Sequence, residues 1–340
     1  MTSLKPILAD SVMRALTVAR CTRVLLVLLA TLGFLHSAQA QNWPTQTVRI
    51  VVPYPAGGGI DSLARALAEK LSTMWGQPVV VENRPGSATF VGAVAVARAP
   101  ADGYTLLLTS DSTVSINPHL FAKMPYNAEK DFAPVSNLVI MHLLLSAHPS
   151  VGAKTLPELI SLAKAKPGVL NYASYGVGSQ PHLIMEVLKS KADINLVHIP
   201  YRGGPESIRA AIASEVQLAV TSIPSAKPHI ETGLIKPIAI GGTQRSPQLP
   251  DVATFAELGY QEVVASAWYG LLAPAGTPPQ IVARISRDVN RVVNEPAFRE
   301  KQIAGGFEVV PNSPQEFADY LRKDSENWAK AVNLSGIKVQ

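Results

Sequence analysis

Apolar positions along this chain follow two periods that take turns almost to its end. Short runs rich in β-branched and aliphatic residues recur at 48–52, 79–82, 105–109, 143–147, 171–173, 197–199, 218–220, 238–241 and 270–273. Each reads as a strand. Between them, apolar residues three and four apart predict helices over 60–74, 156–164, 181–190, 205–213, 279–294 and 314–331, with 86–98 as a further helical stretch. Leu63, Leu67 and Leu71 share one face of the first helix, and Trp328 lies on the apolar side of the last. This alternation predicts an α/β fold of mainly parallel sheets flanked by helices.

Open parallel sheets bind ligands beyond the carboxyl ends of their strands. Two such turns are rich in glycine. One is Ala56-Gly57-Gly58-Gly59-Ile60-Asp61, between the first strand and the first helix. The other is Ser174-Tyr175-Gly176-Val177-Gly178-Ser179, which leads into the helix near Pro181. Backbone N–H groups bared at a helix N-terminus favour an anion. Their wide separation in sequence places one loop in each of two domains, facing across a cleft. The domains expected are 41–142 with 266–340, and 143–265.

The N-terminus narrows the setting. Lys5, Arg14, Arg20 and Arg23 precede an apolar stretch at 24–35 and then Ala38-Gln39-Ala40. A basic region, a short apolar core and an A-x-A site predict a signal peptide over 1–40, cleaved after Ala40. The apolar core is too short to span a membrane. The only cysteine, Cys21, falls in this leader, so the mature chain has no thiol nucleophile, thiolate ligand or disulfide. The leader also carries most of the formal charge of +5, leaving about +2 for the rest. That balance argues against nucleic acid and against a polybasic membrane surface. A soluble monomer in the periplasm, with no membrane anchor, is expected.

Other chemistries fit poorly. A dinucleotide frame starting at Gly57 reaches Ser62 where glycine is required, although Glu82 stands near the place of a ribose-binding acid. No G-x-S-x-G is present, and Gly176-Val177-Gly178-Ser179-Gln180 puts its serine out of frame. The seven histidines lack metal-ligand spacing. His182, one turn into its helix, reads as a structural hydrogen-bonding residue that could orient the second glycine loop. Asp61 reads as a helix cap, Ser179 as a cap or a ligand donor, and Trp268 and Tyr269 as residues that either line the cleft or, the favoured reading, brace the crossing between domains. No catalytic residue, metal or cofactor is assigned.

Many short segments in a fixed order resemble the Bug-type (TctC) solute-binding proteins of tripartite tricarboxylate transporters. They include Trp43-Pro44, 52–61, Val81-Glu82-Asn83-Arg84-Pro85-Gly86, Asp102-Gly103-Tyr104-Thr105, Asn117-Pro118-His119-Leu120 and Asp131-Phe132-Ala133-Pro134-Val135. The series continues through Ala163-Lys164-Ala165-Lys166-Pro167-Gly168, 172–179, 200–204, Leu249-Pro250-Asp251-Val252 and 268–278. The resemblance implies a two-domain periplasmic-binding-protein fold, a small carboxylated ligand, and a membrane permease as partner. It also implies that Ala56, Gly57, Gly58 and Asp61 face Ser174, Gly176, Gly178 and Ser179. Tyr54, Gly59, Phe90, Ser110, Tyr175, Thr221 and Ser222 complete the candidate binding set. The chain departs from the family at Ser87-Ala88-Thr89-Phe90, where small Gly-rich sequence is usual, and at Ala210, Gln217 and Thr221, where Asp is frequent. Phe90 is expected either to select an aromatic ligand or to pack in the core. An exported enzyme acting on a small acid, and a receptor for a signalling partner, are the alternatives.

Overall fold

The computed structural model describes residues 43–338, so the expected signal peptide lies outside the described residues. From Gln46 onward the chain forms one compact unit. The first half of the chain gives β1 (Val48–Val52), α1 (Gly59–Trp75), β2 (Val79–Asn83), α2 (Phe90–Ala97), β3 (Thr105–Ser110), α3 (Asn117–Leu120), β4 (Phe132–Ala147) and α4 (Leu156–Ala165). There follow β5 (Asn171–Ser174), α5 (Gln180–Ala192), β6 (Val197–Pro200), α6 (Gly204–Ile212), β7 (Leu218–Ser222), α7 (Ile223–Glu231) and β8 (Lys236–Ile240). The last elements are β9 (Ser266–Pro274), α8 (Pro279–Val293), α9 (Pro296–Ala304), β10 (Phe307–Val309) and α10 (Pro314–Ser335).

The strands run in the order β2-β1-β3-β9-β4-β7-β5-β6, with β8 and β10 also pairing with β4. Pairing is parallel among β2, β1 and β3 and among β6, β5 and β7. It is antiparallel wherever β4 or β9 takes part. The sheet is therefore mixed, not mainly parallel. β4 is the reason. Its first part, through His142, pairs with β9, and from Leu143 it pairs with β7 and β8. One strand thus belongs to both halves of the sheet. Only its end at 143–147 was expected, because Pro134 and Asn137 break the strand pattern. The ladder bulges at both places, between Pro134 and Ser136 and between Asn137 and Val139; Pro134 has no N–H to give, and the Asn137 N–H donates to Asn312 Oδ1 at 2.8 Å instead.

Each half has its own apolar core. In the first, Val51, Leu107, Leu272, Trp268 and Phe317 pack together. In the second, Leu143, Leu145, Tyr172, Leu183, Leu188 and Trp328 do so. α10 serves both, giving Phe317 to one core and Trp328 to the other. Between these anchors its Asp324 accepts the indole N–H of Trp268 at 2.7 Å. Trp268 is 1% exposed and braces α10.

Three segments meet where β4 changes partners. The Leu143 N–H donates to Ala265 O at 2.8 Å, and the Gly241 N–H donates to Leu143 O at 2.8 Å. A Cβ on Gly241 would run into the Ala265 carbonyl, backbone that has no rotamer by which to retreat. Gly241→Ala should therefore cost about 3 kcal/mol of unfolding free energy through overpacking. Urea denaturation reads the loss, and an unchanged midpoint would contradict this junction.

Candidate ligand-binding site

The first glycine loop is braced from beneath by a carboxylate. Asp61, in the first turn of α1, is 3% exposed. Its Oδ2 accepts the Gly57 N–H at 2.9 Å and Arg65 Nε at 3.0 Å. Its Oδ1 accepts Asn83 Nδ2 at 2.9 Å, and Asn83 Oδ1 in turn accepts Arg65 Nη2 at 2.9 Å. Burial alone would raise the Asp61 pKa, but Arg65, the Gly57 N–H and Asn83 together hold it below the carboxylate range. Asp61 thus reaches one residue behind the N-cap, Gly58, and leaves α1 without a side-chain cap. Gly57 has φ +88°, which favours glycine. Gly58 does not need its freedom. It is extended at φ −80°, ψ 172°, and an added Cβ would meet only Pro55 O, at 4.0 Å.

The second loop is braced by side chains from three elements. Ser174, at the end of β5 and fully buried, accepts the Gly176 N–H through Oγ at 3.1 Å. The same Oγ lies 2.6 Å from His198 Nε2 on β6 and 3.1 Å from Gly176 O. One proton assignment satisfies all three contacts: His198 Nε2–H donates to Ser174, and Ser174 donates to Gly176 O. The Gly176 carbonyl also accepts the Ser179 N–H at 3.2 Å and Ser179 Oγ at 2.7 Å. Further along, the Gly178 N–H donates to His182 Nδ1 at 3.1 Å. Ser179 is the N-cap residue of α5, yet its hydroxyl turns back to the loop and the helix has no side-chain cap.

A pattern runs through both loops. The N–H groups of Gly57, Gly176 and Gly178 are taken by Asp61, Ser174 and His182. Those of Ala56, Gly58, Gly59, Tyr175 and Val177 have no hydrogen bond within the described chain. Glycine supplied the loop geometry, but the unclaimed donors lie mostly on its neighbours. α7 repeats the open helix end, since Ser222 Oγ pairs with Ser225 Oγ at 2.8 Å instead of capping. Away from this region, Thr155 caps α4 and Ser313 caps α10.

Tyrosines line the strand ends between the loops. Tyr54 OH and Ser110 Oγ are 2.7 Å apart. Tyr269 pairs with Ser110 across β3 and β9 and lies within electrostatic reach of Tyr54, Asp111 and Tyr175. Burial raises the pKa of all three phenols. Asp111 was missed by sequence reasoning, as was Gln180. Asp111 is 1% exposed; burial, and then the Asp324 carboxylate, push its pKa well above the usual range. Gln180 Nε2, on the first residue of α5, donates to Asp111 Oδ2 at 2.9 Å and to Ser266 O at the start of β9. This amide ties the second loop's helix to the first half of the sheet.

Phe90 is half-buried and packs on Tyr126, which lies within electrostatic reach of Tyr54. The Phe90 ring is edge-on to Phe121 and Tyr126, at 4.9 and 5.8 Å between centroids, and packs against the core of the first half. Thr221 is fully buried and its Oγ1 has no partner, while Ser222 is half-buried at the mouth of α7. A cavity of about 340 Å³ is lined by His142, Arg245, Gln248, Arg299, Phe307 and Glu308 among others and by none of the candidate residues, although the Phe307 ring on its wall packs against Tyr269 and lies beside Gly59. Among the described residues no group of histidines, cysteines and carboxylates could hold a metal, and no helix is long and apolar enough to cross a membrane.

Comparison with known proteins places the chain. A family model described as the tripartite tricarboxylate transporter family receptor (TctC) matches residues 63–337. The chain belongs to that family. Protein BugT of Bordetella pertussis is 33% identical over 326 residues, covering 96% of this chain and 100% of BugT. The solved structure of R. palustris Rpa4515 with adipate has a TM-score of 0.76 and 32% identity, covering 87% of this chain and 99% of that one. MatC (Rpa3494) from Rhodopseudomonas palustris with bound malate gives 0.72 and 31%, covering 85% and 100%. The fold is accordingly the α/β periplasmic-binding-protein type, and the coarse function is that of a periplasmic solute-binding receptor of the TctC family.

The brace at His182 has a pH signature. Burial, and then the neighbouring His198, lower the His182 pKa from 6.5 to about 4, and its side chain is 8% exposed. The unfolded chain takes up this proton first. The contribution is therefore complete above pH 6.5 and is lost as pH falls toward 4. At full size it amounts to roughly 3 kcal/mol. Urea denaturation from pH 7 to 4 should show wild type losing that much more than His182→Phe. Parallel profiles would contradict the assignment.

Proposed function

We propose that this chain is an exported, non-catalytic receptor that captures one small carboxylated metabolite between the two glycine loops and delivers it to the membrane permease of a tripartite tricarboxylate-type transporter. The observation that carries the reading is the set of unclaimed N–H groups on Gly58, Gly59, Tyr175 and Val177 at the open ends of α1 and α5. Several preoriented donors at helix N-termini hold a carboxylate without an arginine clamp, and bridging waters extend their reach. The relatives solved with adipate and malate support a carboxylate ligand. Ala56, Tyr54, Ser110, Ser179 and Ser222 are the polar and backbone groups proposed to complete the contact. Gly57, Asp61, Ser174, Gly176, Gly178 and Thr221 are proposed to support it from below.

Hydrolysis is not favoured by the one Ser–His pair in the region. Ser174 is fully buried beneath its loop, and its hydroxyl is committed to Gly176 and His198. Nor is the cavity lined by Arg245 and Glu308 favoured for an anion. Arg245 is already bound to Glu257 through both carboxylate oxygens, and Glu308 projects a carboxylate of its own. Residues 41–142 with 266–340 and residues 143–265 are proposed to close on the ligand as two domains. Their hinge is the β4 crossing and the start of β9. A ligand bridging both loops biases that equilibrium by the contacts it makes only in the closed form.

A thermal-shift panel of mono-, di- and tricarboxylates tests the reading. At a hundred times its dissociation constant a true ligand adds about 2.7 kcal/mol, a few degrees of melting temperature. Gly58→Val should abolish that shift while melting like wild type without ligand, because Gly58 meets only Pro55 O. An equal shift in Gly58→Val would remove the first loop from the site, and turnover of the stabilising acid would overturn the receptor reading.

A further inference from the structure

Beneath the second glycine loop lies a polar cluster that the capture of a solute does not itself require. β5 and β6 are parallel neighbours with Tyr172 opposite His198. The His198 ring stacks on His182 of α5, with centroids 3.7 Å apart and planes 12° from parallel. Tyr172 lies beside this pair, its ring centroid 5.1 Å from that of His198 and 6.4 Å from that of His182. Its phenol donates to Glu186 Oε1 at 2.6 Å, and Lys189 Nζ donates to the same oxygen at 2.7 Å. Glu186 is thereby occupied, and at 3.9 Å from His182 Nε2 it is too far for a hydrogen bond. Among the described residues, the only hydrogen bond of the His182 side chain is through Nδ1, to the Gly178 N–H.

We infer that His182, held by its stack on His198, is a positioning residue for ligand capture: its unprotonated Nδ1 takes the Gly178 N–H out of the ligand's reach and so fixes the loop with the Tyr175 and Val177 N–H groups outward. The inference rests on the proposed role of the second loop. The geometry has two independent ends. Ser174 fixes Gly176, and His182 fixes Gly178. Val177, between these fixed points, is 63% exposed at the tip. Gly176 and Gly178 have φ +118° and +77°, a region in which glycine is free to wander once unpinned. Without both pins the loop has no other hydrogen bond to choose this arrangement, apart from the contacts of Ser179 to Gly176 O. A ligand would then have to order the loop itself, at a cost in affinity.

The test uses protein labelled with ¹⁵N-glycine and ¹⁵N-histidine. In wild type the His182 Nδ1 resonance should be that of an unprotonated acceptor, and the Gly178 amide should exchange slowly. His182→Phe keeps a ring on the stack but removes the acceptor. It should raise Gly178 exchange about tenfold or more and leave Gly241 unchanged. Affinity for the best binder among malate, adipate and citrate should fall about tenfold. His182→Asn, whose amide oxygen sits near the Nδ1 position, should restore both to within about threefold of wild type. Ser174→Ala should loosen Gly176 and leave Gly178 protected. A Gly178 amide indifferent to His182→Phe would overturn the inference. So would a loosened Gly178 with unchanged affinity, or a protonated Nδ1 in wild type. A wild type that binds none of the three acids counts against the receptor reading alone, and the exchange data then decide the brace by themselves.

Discussion

Backbone N–H groups near a protein's interior must find an acceptor, and each one satisfied by the chain is lost to a ligand. That constraint organises this site. Asp61, Ser174 and His182 each claim one loop N–H from below. The donors beside them are left without an acceptor among the described residues, at the start of a helix. A site built this way needs no charged side chain of its own. It presents partial positive charge from peptide groups and helix ends, fixed in place before the ligand arrives. The carboxylate of Asp61 does not spoil that field, because Arg65 and Asn83 hold it on the buried side of the loop.

The rest of the fold keeps these two loops in register. β1 and β5 stop where the loops begin, each in its own parallel block, and the long β4 joins the blocks by pairing first with β9 and then with β7 and β8. α10 reaches into both cores. Gln180 adds a polar tie between Asp111 and the start of β9, beside the second loop. The proposed opening and closing has few places to bend, because β4 and the chain entering β9 are where the blocks are joined.

Much of this was legible in the sequence because local pattern decides it. β1 and α1 follow from an apolar run, three glycines and a leucine stripe. Both loops stand out by composition alone. Other elements were hidden by residues that ordinarily argue against them. Pro134 concealed the first part of β4, and Pro224 and Pro228 concealed α7, where one proline occupies the tolerant first turn and the other lies inside the helix. Asp61 looked like a cap, and only Asn83, far along the chain, shows that it is a brace. Likewise His182 and His198 are separated in sequence and meet only because β5 and β6 are neighbours. Which N–H groups remain free depends on such tertiary partners, and no spacing rule reveals it.

The central claim is that a carboxylate sits on the unclaimed N–H groups of both loops. A crystal structure of the protein with a bound dicarboxylate tests it most directly. The account predicts ligand oxygens, directly or through one water, on the N–H groups of Gly58 or Gly59 and of Tyr175 or Val177. Gly57, Gly176 and Gly178 should still be bonded to Asp61, Ser174 and His182. A ligand seated on Arg245, Gln248 and Arg299 and touching neither loop, or one held by the N–H groups of Gly57 and Gly178, would contradict it.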